Sequence, residues 1–482
     1  MKLKDLIKNV EVKSTVNFSD VEIKSVKFDS NSVTENSLFI CISGQNGDGH
    51  NYVKQAEKYG AAAIISEREV DTSLPQIIVE SSRKAMSVIA AEFYGNAHKK
   101  LKLIAVTGTN GKTTTCQILK KIFDDAKIEC GVIGTIGTRY KDKFIEPTLT
   151  TPDPLTLHKI FADMVNLGVK VAVMEASAHA LYLSKLEGIV FDVAVFTNFT
   201  QDHLDFFKDM ESYKLAKKKL FSEKMCKIAV VNSDDPMGIE ILNERKKAIS
   251  YGINNPADVF AIDIEETEGS TAYILNLFDC VFTVKSNLCG IFNVYNEMAA
   301  ATAAALLGVK PTEAVKTIEG VTGVDGRLEK IYSGKFTVFL DYAHTPDGLE
   351  KVLRSLKNIC SGRLICVFGC GGNRDKDKRA KMGKISGEIA DFTVITSDNP
   401  RFEDPMEIIS EIEKGILSVN KNYVLVQDRV EAIEYALNYA NENDTILIAG
   451  KGAEKYQEIL GIKHVYNDKD TVKELILSKG IL

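Results

Sequence analysis

The chain is poor in proline, with 10 against 33 glycines in 482 residues, and its apolar share of 45% is ordinary, which excludes a collagenous or disordered low-complexity protein. It has no surplus of basic residues. Sixty Lys and Arg face 66 Asp and Glu, a net charge of −6, so no overall positive field exists for a nucleic-acid backbone and no nucleic-acid partner is expected. The nine cysteines are odd in number, scattered, and form no CxxC or other close zinc-ligand spacing. They read as reduced thiols of a cytoplasmic protein rather than as disulfides or a zinc site. Long apolar runs are missing too. The opening MKLKDLIKNVEVKS lacks the apolar core and cleavage site of a signal peptide, and the longest weakly polar stretch, Met298 to Val309, is too short to span a bilayer. No membrane insertion is expected. What the chain does have is length, about three times the size of a usual single core, so two to four domains are expected.

Short apolar runs (SLFICIS, AAAIIS, PQIIV) and helical periodicity in YVKQAEKYG and SSRKAMSVIAAEFYG predict a small α/β domain over residues 1–98. After the polar connector NAHKK come LIAVT, a helix from Lys112, a helix from Leu155 to Leu167, and the nearly continuous apolar strands VKVAVM, FDVAVF and KIAVV. Such strands alternating with helices predict a mainly parallel sheet covered on both faces. A third block from Lys330 repeats the pattern with FTVFLDYA, RLICVFG, FTVITS, YVLVQ and TILIAG. It predicts a second doubly wound domain with ligand at the carboxyl ends of its strands.

The strongest local signal is LIAVTGTNGKTTT at 103–115, a strand running into a Gly-rich turn and then a helix. Gly108 and Gly111 let Thr109, Asn110 and their neighbours turn backbone amides toward phosphate oxygens. Lys112 supplies a point charge, and Thr113 offers a hydroxyl to Mg2+, with Thr114 behind it in the first helical turn. GTNGKT is shorter than the generic GxxxxGK[ST] loop. VFGCGGNRD fails the dinucleotide pattern because Arg374 follows Gly369, Gly371 and Gly372.

The shortened loop resembles that of the Mur ligase family, ATP-dependent amide-bond ligases of peptidoglycan precursor synthesis, and further blocks resemble the family's in order. They are VMEASAHAL (173–181), FTNFTQDHLDFF (196–207), SYKLAKKKLF (212–221), FNVYNEMAA (292–300), GRLE (326–329), DYAHTPDGLE (341–350), SDNPRFEDP (397–405) and GKGAEKYQ (450–457). The resemblance covers almost the whole chain. It implies an α/β protein of three domains: a small N-terminal α/β UDP-sugar-binding domain (1–98), a central P-loop ATPase domain with mainly parallel sheet (99–329) and a C-terminal Rossmann-like amino-acid-binding domain (330–482).

Residue by residue, the resemblance implies that Glu175 and His203 hold Mg2+ with Thr113, chemistry that a carboxylate and an imidazole can perform. It implies that Lys217 carries a CO2-derived carbamate, an anion able to bind a second Mg2+, whereas composition alone reads KLAKKKLF as a solvated cationic face that includes Lys214, Lys218 and Lys219. Asn293 and Asn296 are implied at the adenine. Arg327 is implied at the transferring phosphoryl group, and Asp341 and His344 as nucleotide contacts from the third domain. In the first domain Phe28, Ser30, Gln45, Asn46 and Gly47 match uridine-nucleotide positions, and Thr150, Thr151, Ser177 and Lys185 match sugar-peptide positions. Asn31 and Lys185 stand where the family usually has arginine, Leu183 where some members have a polar residue, and Ala453 where many have histidine.

SDNPRFEDP resembles the form found in the branch that adds meso-diaminopimelate to UDP-N-acetylmuramoyl-L-alanyl-D-glutamate. Arg401 and Arg374 would grip the distal carboxylate and Glu454 the distal ammonium, in a pocket shaped by Asp398, Asn399, Pro400 and Gly450. L-Lysine lacks that carboxylate and would leave guanidinium charge unpaired, so its rejection is expected. The implied partners are the UDP-sugar dipeptide, meso-diaminopimelate and ATP, acting on a monomer. A sister ligase adding L-lysine or LL-diaminopimelate, and a divergent nucleotide-binding paralogue without turnover, remain open alternatives at this point.

Overall fold

The protein is described as a computed structural model covering residues 1–44, 47–267, 269–419 and 422–478. It is an α/β protein in two compact units, one formed by Met1–Ala105, Lys127–Ala194 and Ala216–Ile228, the other by Val106–Ala126, Val195–Leu215 and Ala229–Leu482.

The first unit opens with a five-stranded sheet in the order Val12–Val16, Gln76–Val79, Ala61–Ser66, Ser37–Ile40, Ser25–Lys27, antiparallel only at its first pair. Its apolar runs are continuous because both faces are covered. Leu38, Ile40 and Ile65 pack on one side with Ile89 of helix Ser82–Phe93, while Phe39, Cys41 and Ile64 pack on the other with Val53 and Ala56. Ser81 starts that helix by accepting the Lys84 amide on its side chain. The remaining strands of this unit follow the order Phe191–Phe196, Lys102–Thr107, Val171–Glu175, Cys130–Gly134, Gly137–Tyr140, Lys143–Ile145. The predicted helix after Asp153 runs from Pro154 to Asn166, with Asp153 as its cap and Gly168 in the left-handed region (φ 79°) just beyond it.

In the second unit, strands Cys226–Asn232 and Ala248–Gly252 pair in parallel, and beyond them the chain turns to antiparallel pairing, for which no strands are read from the sequence. Val259–Thr267, Ser270–Leu277 and Cys280–Ser286 form an antiparallel meander. Its signal was the alternation along Ser270–Leu277, whose buried and half-buried residues strictly alternate. Helix Ile291–Leu306 follows, buried along most of its length. The third block forms a six-stranded sheet in the order Glu329–Ser333, Thr337–Asp341, Thr445–Ala449, Leu364–Phe368, Phe392–Ile395, Tyr423–Leu425, with only the first strand antiparallel. Helices Pro346–Ile359, Asp377–Ile389 and Pro405–Ile416 cover one face, and Arg429–Tyr439 and Asp468–Ser478 the other. A hairpin, Tyr456–Ile459 with Ile462–Val465, was not foreseen from the sequence.

No helix among the described residues is long and apolar enough to cross a membrane. All nine cysteines are free thiols.

Candidate functional site

Strand Lys102–Thr107 ends in the Gly-rich turn and helix Lys112–Asp125 begins at Lys112, as the sequence predicts. Both glycines are obligatory for space. A Cβ on Gly108 would sit 1.9 Å from the Thr197 hydroxyl, and one on Gly111 (φ 87°) 2.4 Å from Asn296 Oδ1. The loop is held from outside: Asn110 N–H donates to Asn198 Oδ1 at 2.9 Å, Asn110 Nδ2 to Asp347 at 2.9 Å, and the Thr197 hydroxyl to the Asn110 carbonyl at 2.6 Å. Thr109 donates to the Thr200 carbonyl at 3.1 Å and lies 3.2 Å from the Tyr213 hydroxyl. Lys112 Nζ folds back onto the carbonyls of Gly108 and Thr109 at 3.0 and 2.8 Å, so its charge lies directly over the turn. Thr113 and Thr114 are buried beneath it.

The distant residues expected at the nucleotide gather round this loop. Arg327 Nη2 donates to the Thr113 hydroxyl at 3.1 Å. Asn296 accepts from Thr115 at 3.4 Å and donates to Asn293 Oδ1 at 3.0 Å, and Asn293 in turn donates to the Cys289 carbonyl at 2.7 Å. Asp341 ends its strand buried and accepts the amides of Leu328 at 2.6 Å and Ala343 at 2.7 Å. Burial pushes its carboxyl up, outweighing Arg327 and those two amides. His344 Nδ1 lies 2.8 Å from the Tyr342 carbonyl, and desolvation by the surrounding protein lowers the pKa of the imidazole although its side chain stays 37% exposed. Its Nε2 lies 3.8 Å from Asp202, whose other neighbour is His203 at 3.2 Å, with a left-handed backbone (φ 57°). Asp202, which sequence reasoning passed over, is therefore shared by two histidines.

In the first unit Glu175 is buried at the end of its strand. It accepts the Thr135 amide at 2.8 Å and the Thr135 hydroxyl at 3.1 Å. Thr150 lies 3.1 Å from that hydroxyl. Thr151 donates to the Glu175 carbonyl at 2.8 Å and to Ser177 at 3.2 Å, while Lys185 reaches the Thr151 carbonyl at 3.3 Å, its own pKa lowered by burial. The expected sugar-peptide residues thus stand together beside Glu175. Ser30 is buried and donates to Gln55 at 3.1 Å; Asn31 accepts from Gln55 at 2.9 Å; Phe28 is exposed; and Gly47 accepts the Gly44 amide at 2.8 Å. Gln45 and Asn46 lie outside the described residues.

Lys217 contradicts the compositional reading of its segment. It is 1% exposed, while Lys214 is held by Glu211 and Glu240. Lys219, expected to be solvated, instead reaches the Leu181 carbonyl at 3.4 Å and Ser184 at 3.2 Å. Among the described residues no group of three or more His, Cys, Asp or Glu side chains is arranged to hold a metal ion.

The amino-acid set assembles at the carboxyl ends of the third-block strands. Arg401, itself left-handed (φ 53°), donates through Nη1 to the Gly372 carbonyl at 2.7 Å and pairs through Nε with Glu458 at 3.2 Å. A Cβ on Gly371 would meet Arg401 Nη1 at 3.0 Å and Arg374 Cγ at 3.7 Å, so both arginines flank that glycine. Arg374 also pairs with Asp205 at 3.2 Å, and the Pro400 carbonyl closes over Gly372, where a Cβ would meet it at 1.9 Å. Asn399 Nδ2 and the buried Lys451 Nζ donate to the same Glu454 oxygen at 2.9 and 3.0 Å, and Lys451 also reaches Asn399 Oδ1 at 2.9 Å. Burial pushes the neighbouring Asp398 carboxyl up, but Lys451 and then Arg429 outweigh it and the net direction is down. Gly450 (φ 114°) donates its amide to the Asp341 carbonyl at 3.0 Å, joining this pocket to the nucleotide residues. The sequence assigns Lys451 no role; the signal it offers is a lysine between two glycines, Gly450 and Gly452.

Family models described as "Mur ligase middle domain", "Mur ligase, glutamate ligase domain" and "Mur ligase family, catalytic domain" match residues 106–304, 326–452 and 22–94. The chain is similar to proteins named UDP-N-acetylmuramoyl-L-alanyl-D-glutamate--2,6-diaminopimelate ligase from Bacillus licheniformis (42% identical over 485 residues) and Caldanaerobacter subterraneus (43% over 484), each alignment covering 99% of both chains. A solved structure of a ligase with that name superposes with a TM-score of 0.71 at 31% identity, covering 100% of this chain and 99% of the other.

Proposed function

The chain belongs to the Mur ligase family of ATP-dependent ligases, and from that premise we propose that it joins meso-diaminopimelate to UDP-N-acetylmuramoyl-L-alanyl-D-glutamate, a step in peptidoglycan precursor synthesis. The substrate reading follows the names of its relatives, and one observation carries it here. Two arginines flank Gly371 while Glu454 is fixed by Asn399 and Lys451, an arrangement suited to an amino acid whose distal end bears both a carboxylate and an ammonium.

In this reading the three domains fall at 1–98, 99–329 and 330–482, in a cytoplasmic monomer. Loop 108–114 cradles the ATP phosphates, Lys112 leaves the carbonyls it now contacts for the terminal phosphate, and Asn293 and Asn296 meet the adenine with Asp341 and His344 nearby. The γ-carboxylate of the D-glutamate attacks the γ-phosphorus and the bond to ADP breaks, leaving an acyl phosphate. Arg327 neutralises the equatorial oxygens in that step. The neutral amine of diaminopimelate then attacks the acyl carbon, and phosphate leaves as the amide forms. Mg2+ bound with the nucleotide supplies further charge neutralisation, with Thr113 and His203 as its side chains in the second unit. In the first unit Glu175 and a carbamylated Lys217 are proposed as metal-binding anions on their own burial. Thr150, Thr151, Ser177 and Lys185 take the sugar-peptide, and Phe28, Ser30, Gln45, Asn46 and Gly47 the uridine nucleotide.

The test is phosphate release by the purified protein with ATP, Mg2+ and the UDP-sugar dipeptide. Release that requires both the dipeptide and meso-diaminopimelate supports the reading. Release independent of the dipeptide, or none with any amino acid, overturns it.

A further inference from the structure

Tyr342 follows Asp341 at the end of strand Thr337–Asp341 and has no role in the account so far. Its ring carries the Arg327 guanidinium, whose carbon lies 4.4 Å from the ring centroid, and meets the His344 ring edge-on at 4.7 Å. At its other end the hydroxyl lies 3.5 Å from Glu454 Oε1, on the oxygen that Asn399 and Lys451 leave open. The loops bearing these partners are themselves pressed together. A Cβ on Gly326 would sit 2.1 Å from the Ala453 amide nitrogen, and one on Gly452 2.9 Å from Tyr342 Cβ. One half-buried aromatic side chain therefore touches, at opposite ends, the arginine that faces the phosphate loop and the carboxylate of Glu454.

We propose that Tyr342 is a positioning residue that couples amino-acid occupancy to the nucleotide: an ammonium docking on Glu454 fixes the tyrosine hydroxyl, and the ring beneath holds Arg327 toward Thr113. The inference rests on the roles proposed above for Arg327 and Glu454. Its consequence is reciprocal, because two ligands that order the same side chain must each tighten the other's binding by the same factor. The hydroxyl carries the link to Glu454 and the ring carries Arg327, so the two can be separated by substitution.

The experiment measures calorimetrically the affinity of the full chain for a non-hydrolysable ATP analogue that keeps the γ-phosphate, with and without saturating meso-diaminopimelate. Wild type is expected to bind the analogue at least about fivefold more tightly when the amino acid is present. Tyr342→Phe, which keeps the ring, is expected to reduce that factor below about twofold and to raise the KM for diaminopimelate more than that for ATP. Tyr342→Leu should also lower kcat, since Arg327 loses its platform. A wild type without coupling, or a Tyr342→Phe protein that retains it, overturns the proposal. Arg327→Ala and Glu454→Ala separate the underlying reading. If the first leaves kcat unchanged, or the second leaves the diaminopimelate KM unchanged, the assigned roles fail whatever Tyr342 does.

Discussion

Arg327 donates to the Thr113 hydroxyl at 3.1 Å, across 214 residues of sequence, and so places a fixed cation at the first turn of the phosphate-loop helix. In the proposed reaction that guanidinium acts where negative charge moves during phosphoryl transfer. Arg327→Ala is expected to lower kcat by about 10³-fold, with the melting temperature little changed, in a phosphate-release assay. Arg327→Lys should restore only part of the loss, because a point charge cannot keep both the hydroxyl contact and the ring of Tyr342.

The phosphate loop has no room for a side chain at Gly111, where a Cβ would sit 2.4 Å from Asn296 Oδ1 in a left-handed backbone. Gly111→Ala should therefore weaken ATP binding by about ten-fold or more, read as KM for ATP, since the loop and Asn296 are displaced together. Asn296→Ala in the same background should relieve part of the clash and recover some stability.

Buried ionisable groups give the molecule opposite pH dependences at two places. His158 is fully buried, with neither ring nitrogen partnered, and burial holds it down at about 3. Its unfolded form takes up a proton near pH 6.5 and the folded form does not, so its contribution to stability is lost as pH falls below about 6.5. Glu297 is pushed up to about 8 by burial, against the hydrogen bonds it accepts from Tyr273 at 2.9 Å and from Ser286. The folded state keeps that proton while the unfolded state releases it, so stability falls as pH rises from about 4.5 to 8. Thermal melts should show His158→Phe flattening the acid limb, and Glu297→Gln raising the melting temperature most at pH 8.

Arg401 is held by the Gly372 carbonyl and Glu458, so its removal should leave the fold standing and damage acceptor choice. Arg401→Ala is expected to raise the KM for meso-diaminopimelate about 10- to 100-fold, the scale of one charge-assisted contact of roughly 1.5–3 kcal/mol, with KM for ATP unchanged. It should also narrow the preference over L-lysine.

What was legible in the sequence was what lies close together in it. The phosphate loop is a contiguous strand, turn and helix, and each buried strand is a short apolar run, so both could be read locally. Lys217 could not, because its burial is set by what packs on the helix and nothing distinguishes it chemically from Lys218 beside it. Lys451 and Tyr342 escaped for the same reason: each is defined by partners at Asn399, Glu454 and Arg327, brought near by strand order rather than by spacing. The antiparallel meander was not read although an alternation runs along Ser270–Leu277, because that alternation lies in partial burial more than in residue type. The match to family blocks supplied the long-range assignments that spacing could not.

The most direct test of the central claim is a single competition. Wild-type protein is given ATP, Mg2+, the UDP-sugar dipeptide and equimolar meso-diaminopimelate, LL-diaminopimelate and L-lysine, and the UDP-tripeptide products are resolved by mass and chromatography. The account predicts that meso-diaminopimelate product dominates and that lysine product is below about one part in a hundred, the discrimination expected when the charge-assisted contact to the distal carboxylate is lost. A predominant lysine product would contradict it.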